Sequence, residues 1–218
     1  MKKVIIFDLD GTLLDTLKDL QKAVNFSLSQ FNYPLRSLDQ VRRDIGNGVA
    51  KLMERSIPGG SENKVYRQAL DIFKKYYGEN YNVFTHAYDG VLDVVKALRE
   101  DGFIVTVATN KIVNVAKELL DIHYPGQFDY IQGDALGVHK KPHPDMIKNI
   151  IRHYKVTRED VLYIGDTNVD EETAHNADVD YGLVTYGYRT TDEIKNSCLC
   201  TNLINTPEEL LAFIRRTI

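Results

Sequence analysis

Val4-Ile5-Ile6-Phe7-Asp8-Leu9-Asp10-Gly11-Thr12 is the stretch from which the fold is read. Four apolar, largely β-branched residues stop abruptly at two aspartates, followed by a glycine and a hydroxyl residue. Val4 to Phe7 reads as a strand buried on both faces, the pattern of a parallel sheet. Asp8 and Asp10 then stand at its carboxyl end, where open α/β sheets bind ligands. Gly11 allows a tight turn there and brings backbone amides close to an anion. Two carboxylates two residues apart repel each other unless a cation lies between them, which points to a divalent hard metal with oxygen ligands. A plain strand-end turn with solvated acids is the competing reading, since Asp and Gly are common turn formers.

Distant segments favour the metal. Phe103-Ile104-Val105-Thr106-Val107-Ala108 is a second buried-strand run and ends at Thr109-Asn110-Lys111. Val161-Leu162-Tyr163-Ile164 is a third, ending at Gly165-Asp166-Thr167-Asn168-Val169-Asp170. Between them, the prolines of Lys140-Lys141-Pro142-His143-Pro144 stop helix continuation and present a lysine from a loop or a first helical turn. A parallel sheet would gather these polar clusters along one edge, as a site for phosphate and metal.

These four segments, in this order and at these spacings, resemble the motifs of the haloacid dehalogenase (HAD) superfamily of phosphohydrolases, over essentially the whole chain. Ile45-Gly46-Asn47-Gly48-Val49 further resembles the cap of its phosphoglycolate phosphatase branch. The implied fold is α/β, a doubly wound, mainly parallel sheet with an inserted all-helical cap. The implied activity is magnesium-dependent hydrolysis of a small phosphorylated metabolite through an aspartyl-phosphate, with phosphoglycolate as leading candidate. After Tyr186-Gly187-Tyr188 the sequence Arg189-Thr190-Thr191 departs from that branch. The alternatives are a phosphosugar mutase of the β-phosphoglucomutase type and a non-catalytic ligand-binding protein on the same fold.

Bulk composition agrees with a globular enzyme. The chain has 218 residues, 43% of them hydrophobic, enough for a large core with a smaller insert. A net charge of −4 argues against broad binding to nucleic acid or anionic membrane. No apolar run approaches the roughly 20 residues of a membrane span. Met1-Lys2-Lys3 mimics the start of a secretory signal, but Asp8 and Asp10 interrupt the apolar segment. Cys198 and Cys200 lack nearby Cys or His for a zinc site and read as reduced thiols in a strand near the chain end. The expected protein is cytoplasmic, a monomer or homodimer, with no nucleic-acid or membrane partner.

After Thr12 the apolar period changes from two to three and four. Leu17, Leu20, Val24, Leu28 and Phe31 mark one amphipathic helix. Ser37-Leu38-Asp39-Gln40 is a capping box opening another. Pro58-Gly59-Gly60 is a break, and Ser61 is the expected cap of a helix striped by Val65, Ala69, Phe73 and Tyr76. Residues 15–86 therefore read as the helical cap, and residues 1–14 with 87–218 as the catalytic core, with hinges near Leu14-Asp15 and His86-Ala87. Val91, Val94, Val95 and Leu98 form the first core-facing stripe after the return. Thr206-Pro207-Glu208-Glu209 carries a cap, an N1 proline and a capping-box glutamate for the last helix.

The resemblance assigns roles residue by residue. Asp8 is the nucleophile and a magnesium ligand. Asp10 protonates the leaving oxygen, then takes a proton from the attacking water, while its backbone carbonyl joins the metal shell. This acid separates phosphoryl transfer from dehalogenation, whose enzymes lack it. Thr109 donates its hydroxyl to the phosphoryl group, with Asn110 as a second donor and Gly11 shaping the anion site. Lys141 supplies fixed positive charge; Lys140 competes by proximity, but the Lys-Pro-x-Pro register selects Lys141. Asp166 is a metal ligand, and Asp170 an outer one, directly or through water. Gly46, Asn47 and Gly48 are expected to approach substrate; a dinucleotide loop is excluded because the third glycine and a preceding strand are missing. No Walker-type Gly-Lys-Ser/Thr motif occurs. His139, His143 and His175 read as surface or loop groups.

Overall fold

The computed structural model describes residues 3–217. β1 (Val4–Phe7) leads through β2 (Leu14–Asp15) into four α-helices, α1 (Leu17–Ser29), α2 (Leu38–Asp44), α3 (Val49–Ser56) and α4 (Tyr66–Asn80). The chain returns through β3 (His86–Ala87), and helices then alternate with strands. These are α5 (Val91–Glu100), β4 (Ile104–Ile112), α6 (Val113–His123), β5 (Tyr130–Asp134) and α7 (Asp145–Tyr154). β6 (Val161–Gly165), α8 (Asn168–Ala177), β7 (Asp180–Val184), α9 (Thr191–Ser197), β8 (Leu203–Ile204) and α10 (Pro207–Thr217) complete it. Two compact units result, Met1–Leu14 with Ala87–Ile218, and Asp15–His86.

The first unit is built on a six-stranded sheet of order β5-β4-β1-β6-β7-β8 with parallel pairings. β1 lies at its centre, so helices cover both faces and all four residues from Val4 to Phe7 are buried. Met146, Ile147 and Ile150 of α7 and Ala174 of α8 pack against Val4, Ile6 and Tyr163. Phe7 stands in register with Val107 on one side and Ile164 on the other. The residues that follow these three positions therefore leave the sheet at one edge. Asp8 continues the ladder by one bond, its N–H donating to the Ile164 carbonyl at 2.8 Å.

β4 runs farther than its apolar stretch, through Thr109, Asn110 and Lys111 to Ile112. A register shift against β5 between Ala108 and Ile112 accommodates the polar residues without ending the strand. Gly133 permits this, because a Cβ there would collide with the backbone of Lys111 and Val113. The stripe Val91, Val94, Val95 and Leu98 is buried as expected for α5. α10 begins at Pro207 with Thr206 Oγ1 accepting from the Glu209 N–H, while the Glu209 carboxylate reaches back to the Asn205 N–H. The two cysteines are not in a strand. Cys198 ends α9 and Cys200 lies in the connection to β8, where too few residues pair to extend the edge.

The second unit is helical. α1 buries Leu17, Leu20, Val24 and Leu28, while Phe31 falls in the turn beyond the helix end. Ser37 and Gln40 form the reciprocal capping box of α2. Ser61 does not cap α4: it lies in a short 3₁₀ turn, and α4 starts after Val65 without a side-chain cap. Asn63 takes over the turn, its Oδ1 accepting from the Val65 N–H. Ala69, Phe73 and Tyr77 are the buried stripe of α4; Tyr76 stacks on Phe26 instead. Asp19 anchors the return segment by accepting from the N–H groups of Val83, Phe84 and Thr85.

Candidate active site

The carboxyl edge of the central strands collects the polar residues of all four segments. After β1 the chain turns so tightly that the N–H groups of Thr12, Leu13 and Leu14 all point back to the Leu9 carbonyl. Gly11 takes φ 91° in this turn, and a Cβ on it would strike the Asp166 carboxylate. The first and fourth segments are thus packed together by the absence of a side chain.

Lys141 is the hub. Its ammonium is buried and spends its three donors on Asp8 Oδ1 at 2.7 Å, Asp170 Oδ1 at 2.8 Å and the Tyr163 hydroxyl at 2.9 Å. Lys140 turns the other way, to Asp134 at 2.8 Å. The main chain of Lys141 is clamped by the Asn110 carboxamide, whose Oδ1 accepts the Lys141 N–H at 2.7 Å and whose Nδ2 donates to its carbonyl at 3.1 Å. Asn110 therefore commits its side chain to positioning the lysine. Thr109 is buried beside it, its hydroxyl accepting from the Lys111 N–H at 3.2 Å. Asp10 is partly exposed and pairs with the buried Lys111 ammonium at 2.8 Å.

The three remaining carboxylates differ in how their oxygens are used. Asp170 has both engaged: Oδ1 accepts from Lys141 and Tyr163, Oδ2 from Thr167 Oγ1 and from the N–H groups of Asp166 and Thr167. Burial opposes its charge, but Lys141 and these donors outweigh that and hold the carboxyl below the usual range. Asp166 is the opposite case. Its Oδ2 accepts from the Tyr188 N–H at 2.8 Å, whereas its Oδ1 is buried with no hydrogen-bond partner. Burial, with Asp170 and Asp8 nearby, pushes it well above the ordinary value. Asp8 is pushed up to about 7 by burial, against the pull of Lys141.

Asp8, Asp166 and Asp170 each offer an oxygen within 4.8 Å of the others. Asp8, Asp10, Asp166 and Asp170 gather here around the Lys111 and Lys141 ammonium groups, with Arg189 also acting on Asp166, and the raised carboxyls of Asp8 and Asp166 show that burial and mutual repulsion are not fully offset. An orphaned buried carboxylate oxygen in such a cluster fits a divalent hard cation.

Gly46, Asn47 and Gly48 belong to the other unit, between α2 and α3. All three have positive φ, and Arg55 ties them down, donating to the carbonyls of Asp44 and Gly46 and to Asn47 Oδ1.

Two contributors to this edge, Tyr163 and the Tyr188 N–H, went unread in the sequence. Tyr163 carries a hydroxyl into an apolar strand, where a buried phenol must find a partner, and that is a usable signal. Lys111 stands in the polar cluster that the sequence shows, but its partner Asp10 lies 101 residues away, and the Tyr188 N–H has no local signature because folding brings it to Asp166.

A model of the haloacid dehalogenase-like hydrolase family matches residues 5–184. The chain belongs to that family. Its relatives include the phosphoglycolate phosphatase of Aquifex aeolicus, 33% identical over 85% of this chain and 86% of that one. The phosphoglycolate phosphatase of Nitrosococcus oceani is 32% identical over 89% of each. A crystal structure from Lactobacillus delbrueckii subsp. bulgaricus, provisionally named a phosphoglycolate phosphatase, superposes with a TM-score of 0.92 at 30% identity, over 98% of this chain and 99% of that one. With the family's four motif segments meeting at one sheet edge, the haloacid dehalogenase-like chain described here is an enzyme, a phosphatase resembling the phosphoglycolate phosphatase branch.

Proposed function

We propose that this phosphatase is magnesium-dependent and hydrolyses a small phosphorylated metabolite, phosphoglycolate first, through a covalent intermediate on Asp8. The observation that carries this reading is the pairing of Asp8 Oδ1 with Lys141 Nζ at 2.7 Å beside the partnerless Asp166 Oδ1. Asp8 and Asp166, with the Asp10 backbone carbonyl, would hold the cation. Bound there, magnesium would supply charge that offsets repulsion between the carboxylates and a phosphoryl group.

The chain's own groups then divide the work. Asp8 attacks phosphorus and forms the acyl phosphate, splitting one difficult displacement into two. Lys141 keeps its charge despite burial, because Asp170 and Asp8 outweigh desolvation, and so offers a fixed cation to the phosphoryl oxygens. Asp170, with both oxygens engaged by protein donors, orients Lys141 and stands outside the direct ligands. Asp10 gives a proton to the leaving oxygen and recovers one from the water that cleaves the acyl phosphate. Thr109 donates its hydroxyl to a phosphoryl oxygen. With the Asn110 carboxamide occupied, any donation from that residue falls to its main chain.

The phosphoglycolate assignment rests on the named relatives and on the Gly46-Asn47-Gly48 loop. The test is turnover of phosphoglycolate, an aryl phosphate and a hexose phosphate by the wild type and Asp8→Asn. Release of inorganic phosphate from phosphoglycolate, with kcat lower by at least about 10³-fold in Asp8→Asn of unchanged circular dichroism, is the expected result. Substantial turnover by Asp8→Asn would remove the covalent step. Conversion of the hexose phosphate into an isomer without phosphate release would make the protein a mutase.

A further inference from the structure

The segment that carries Lys141 holds a second set of metal-binding groups on its exposed side. His139 and His143 stand four residues apart, and Asp145 follows as the first residue of α7. Both imidazoles turn their Nδ1 atoms to the same carboxylate. His139 Nδ1 lies 2.6 Å from Asp145 Oδ2, and His143 Nδ1 lies 3.0 Å from Asp145 Oδ1. The two rings are 4.4 Å apart between centroids, and one ligand atom from each residue falls within 4.8 Å of the other two. The neighbouring lysines are engaged elsewhere: the Lys141 ammonium faces Asp8 and Asp170, and Lys140 faces Asp134.

We propose that His139, His143 and Asp145 form a site for a divalent transition metal of the zinc class, distinct from the carboxylate cluster around Asp8. Tetrahedral zinc bonds of about 2.0–2.2 Å set ligand atoms roughly 3.3 Å apart. The two His–Asp separations, 2.6 and 3.0 Å to different oxygens of Asp145, are hydrogen-bond lengths shorter than that edge, so the two exposed rings must swing back from the carboxylate to admit the ion. Three protein ligands leave the fourth position to water. The donor chemistry separates the two sites. Imidazole nitrogens suit zinc, nickel and copper, whereas magnesium demands an octahedral shell of oxygens. The site around Asp8 is all oxygen; this one is two nitrogens and one oxygen.

The location gives the ion a structural consequence. His139 and His143 flank Lys141 by two residues on either side, and Asn110 already clamps the Lys141 main chain. A metal bound to 139, 143 and 145 staples the chain across the lysine. Occupancy therefore restrains the segment that presents the phosphatase's fixed charge.

The experiment is calorimetric titration of the tag-free full chain with zinc in excess magnesium, for the wild type, His139→Asn, His143→Asn and the double variant. Asparagine keeps a hydrogen-bond donor for Asp145 but has no imidazole, and the residues are exposed, so these variants should melt like wild type in chelator. One zinc per wild-type chain is expected, with each single variant binding at least roughly tenfold more weakly. Zinc should also slow amide exchange across residues 138–146 in the wild type only. Cobalt should give the visible absorption of a four-coordinate ion that both histidine variants lose. Zinc binding of equal strength in the double variant would place the ion elsewhere and overturn the proposal. Absence of wild-type binding would reduce the cluster to a hydrogen-bonded loop.

Discussion

At the scale of single residues, Asp170 shows how a buried carboxylate can organise a site through protein donors alone. Both its oxygens are spent on protein donors, and one of those donors is the ammonium that faces Asp8. Removing its charge leaves Lys141 buried with a weaker partner set and Tyr163 with a poorer acceptor. Breaking a buried pair from one side costs about 3–5 kcal/mol, because the other charge stays buried. Asp170→Asn should therefore lose stability of that order in urea unfolding, and lose kcat as well. Tyr163→Phe removes a neutral hydroxyl that donates to Asp170 and accepts from Lys141, and should cost less, about 1–3 kcal/mol by the same measurement. Equal losses in the two variants would mean that the charge on Asp170 does not hold the lysine.

At the scale of elements, the loop between α2 and α3 is braced rather than loose. Arg55 of α3 holds the Asp44 and Gly46 carbonyls and Asn47 Oδ1, on a backbone with three consecutive positive φ angles. If this loop reads the substrate, Asn47→Ala should weaken kcat/KM for phosphoglycolate far more than for a small aryl phosphate. Loss of one discriminating hydrogen bond is worth on the order of 1–3 kcal/mol in transition-state binding. Arg55→Met, which frees the same loop, should shift the ratio in the same direction. An unchanged ratio in both variants would make the loop structural and withdraw the support it gives to phosphoglycolate. The core strands behave differently: β1 has no freedom to slip, since all four residues are buried and paired on both sides.

At the scale of the whole molecule, the crowding of carboxylates at the sheet edge would couple the proposed metal binding to folding. A cation bound by the native chain and not by the unfolded one stabilises by about 2.7 kcal/mol at a hundred times its dissociation constant. Magnesium should therefore raise the melting temperature by roughly 5–10 °C, and Asp166→Asn should abolish the rise. Chelation should stop turnover, magnesium should restore it, and calcium should support it poorly, because its looser shell disturbs alignment. Full activity in excess chelator would remove the metal from the mechanism.

Much of this architecture is written locally in the chain. The apolar runs ending in Asp8, Thr109 and Gly165, the α5 stripe and the Ser37 capping box all report burial or backbone hydrogen bonding within a few residues, which periodicity and cap chemistry encode directly. The length of β4 was not legible, because it depends on a register shift against β5 at a point where only a glycine, Gly133, leaves room for the β4 backbone. Nor was the start of α4, which has no side-chain cap and follows a turn closed by Asn63 rather than a cap by Ser61. The partnerships within the site were decided by tertiary structure alone. Lys141 meets Asp170 across 29 residues and Asp10 meets Lys111 across 101, and which oxygen remains without a donor follows only from those encounters. Sequence carries the identity of the charged groups; strand register and the packing of loops against one edge decide which of them pair with each other and which oxygen, that of Asp166, is left without a donor.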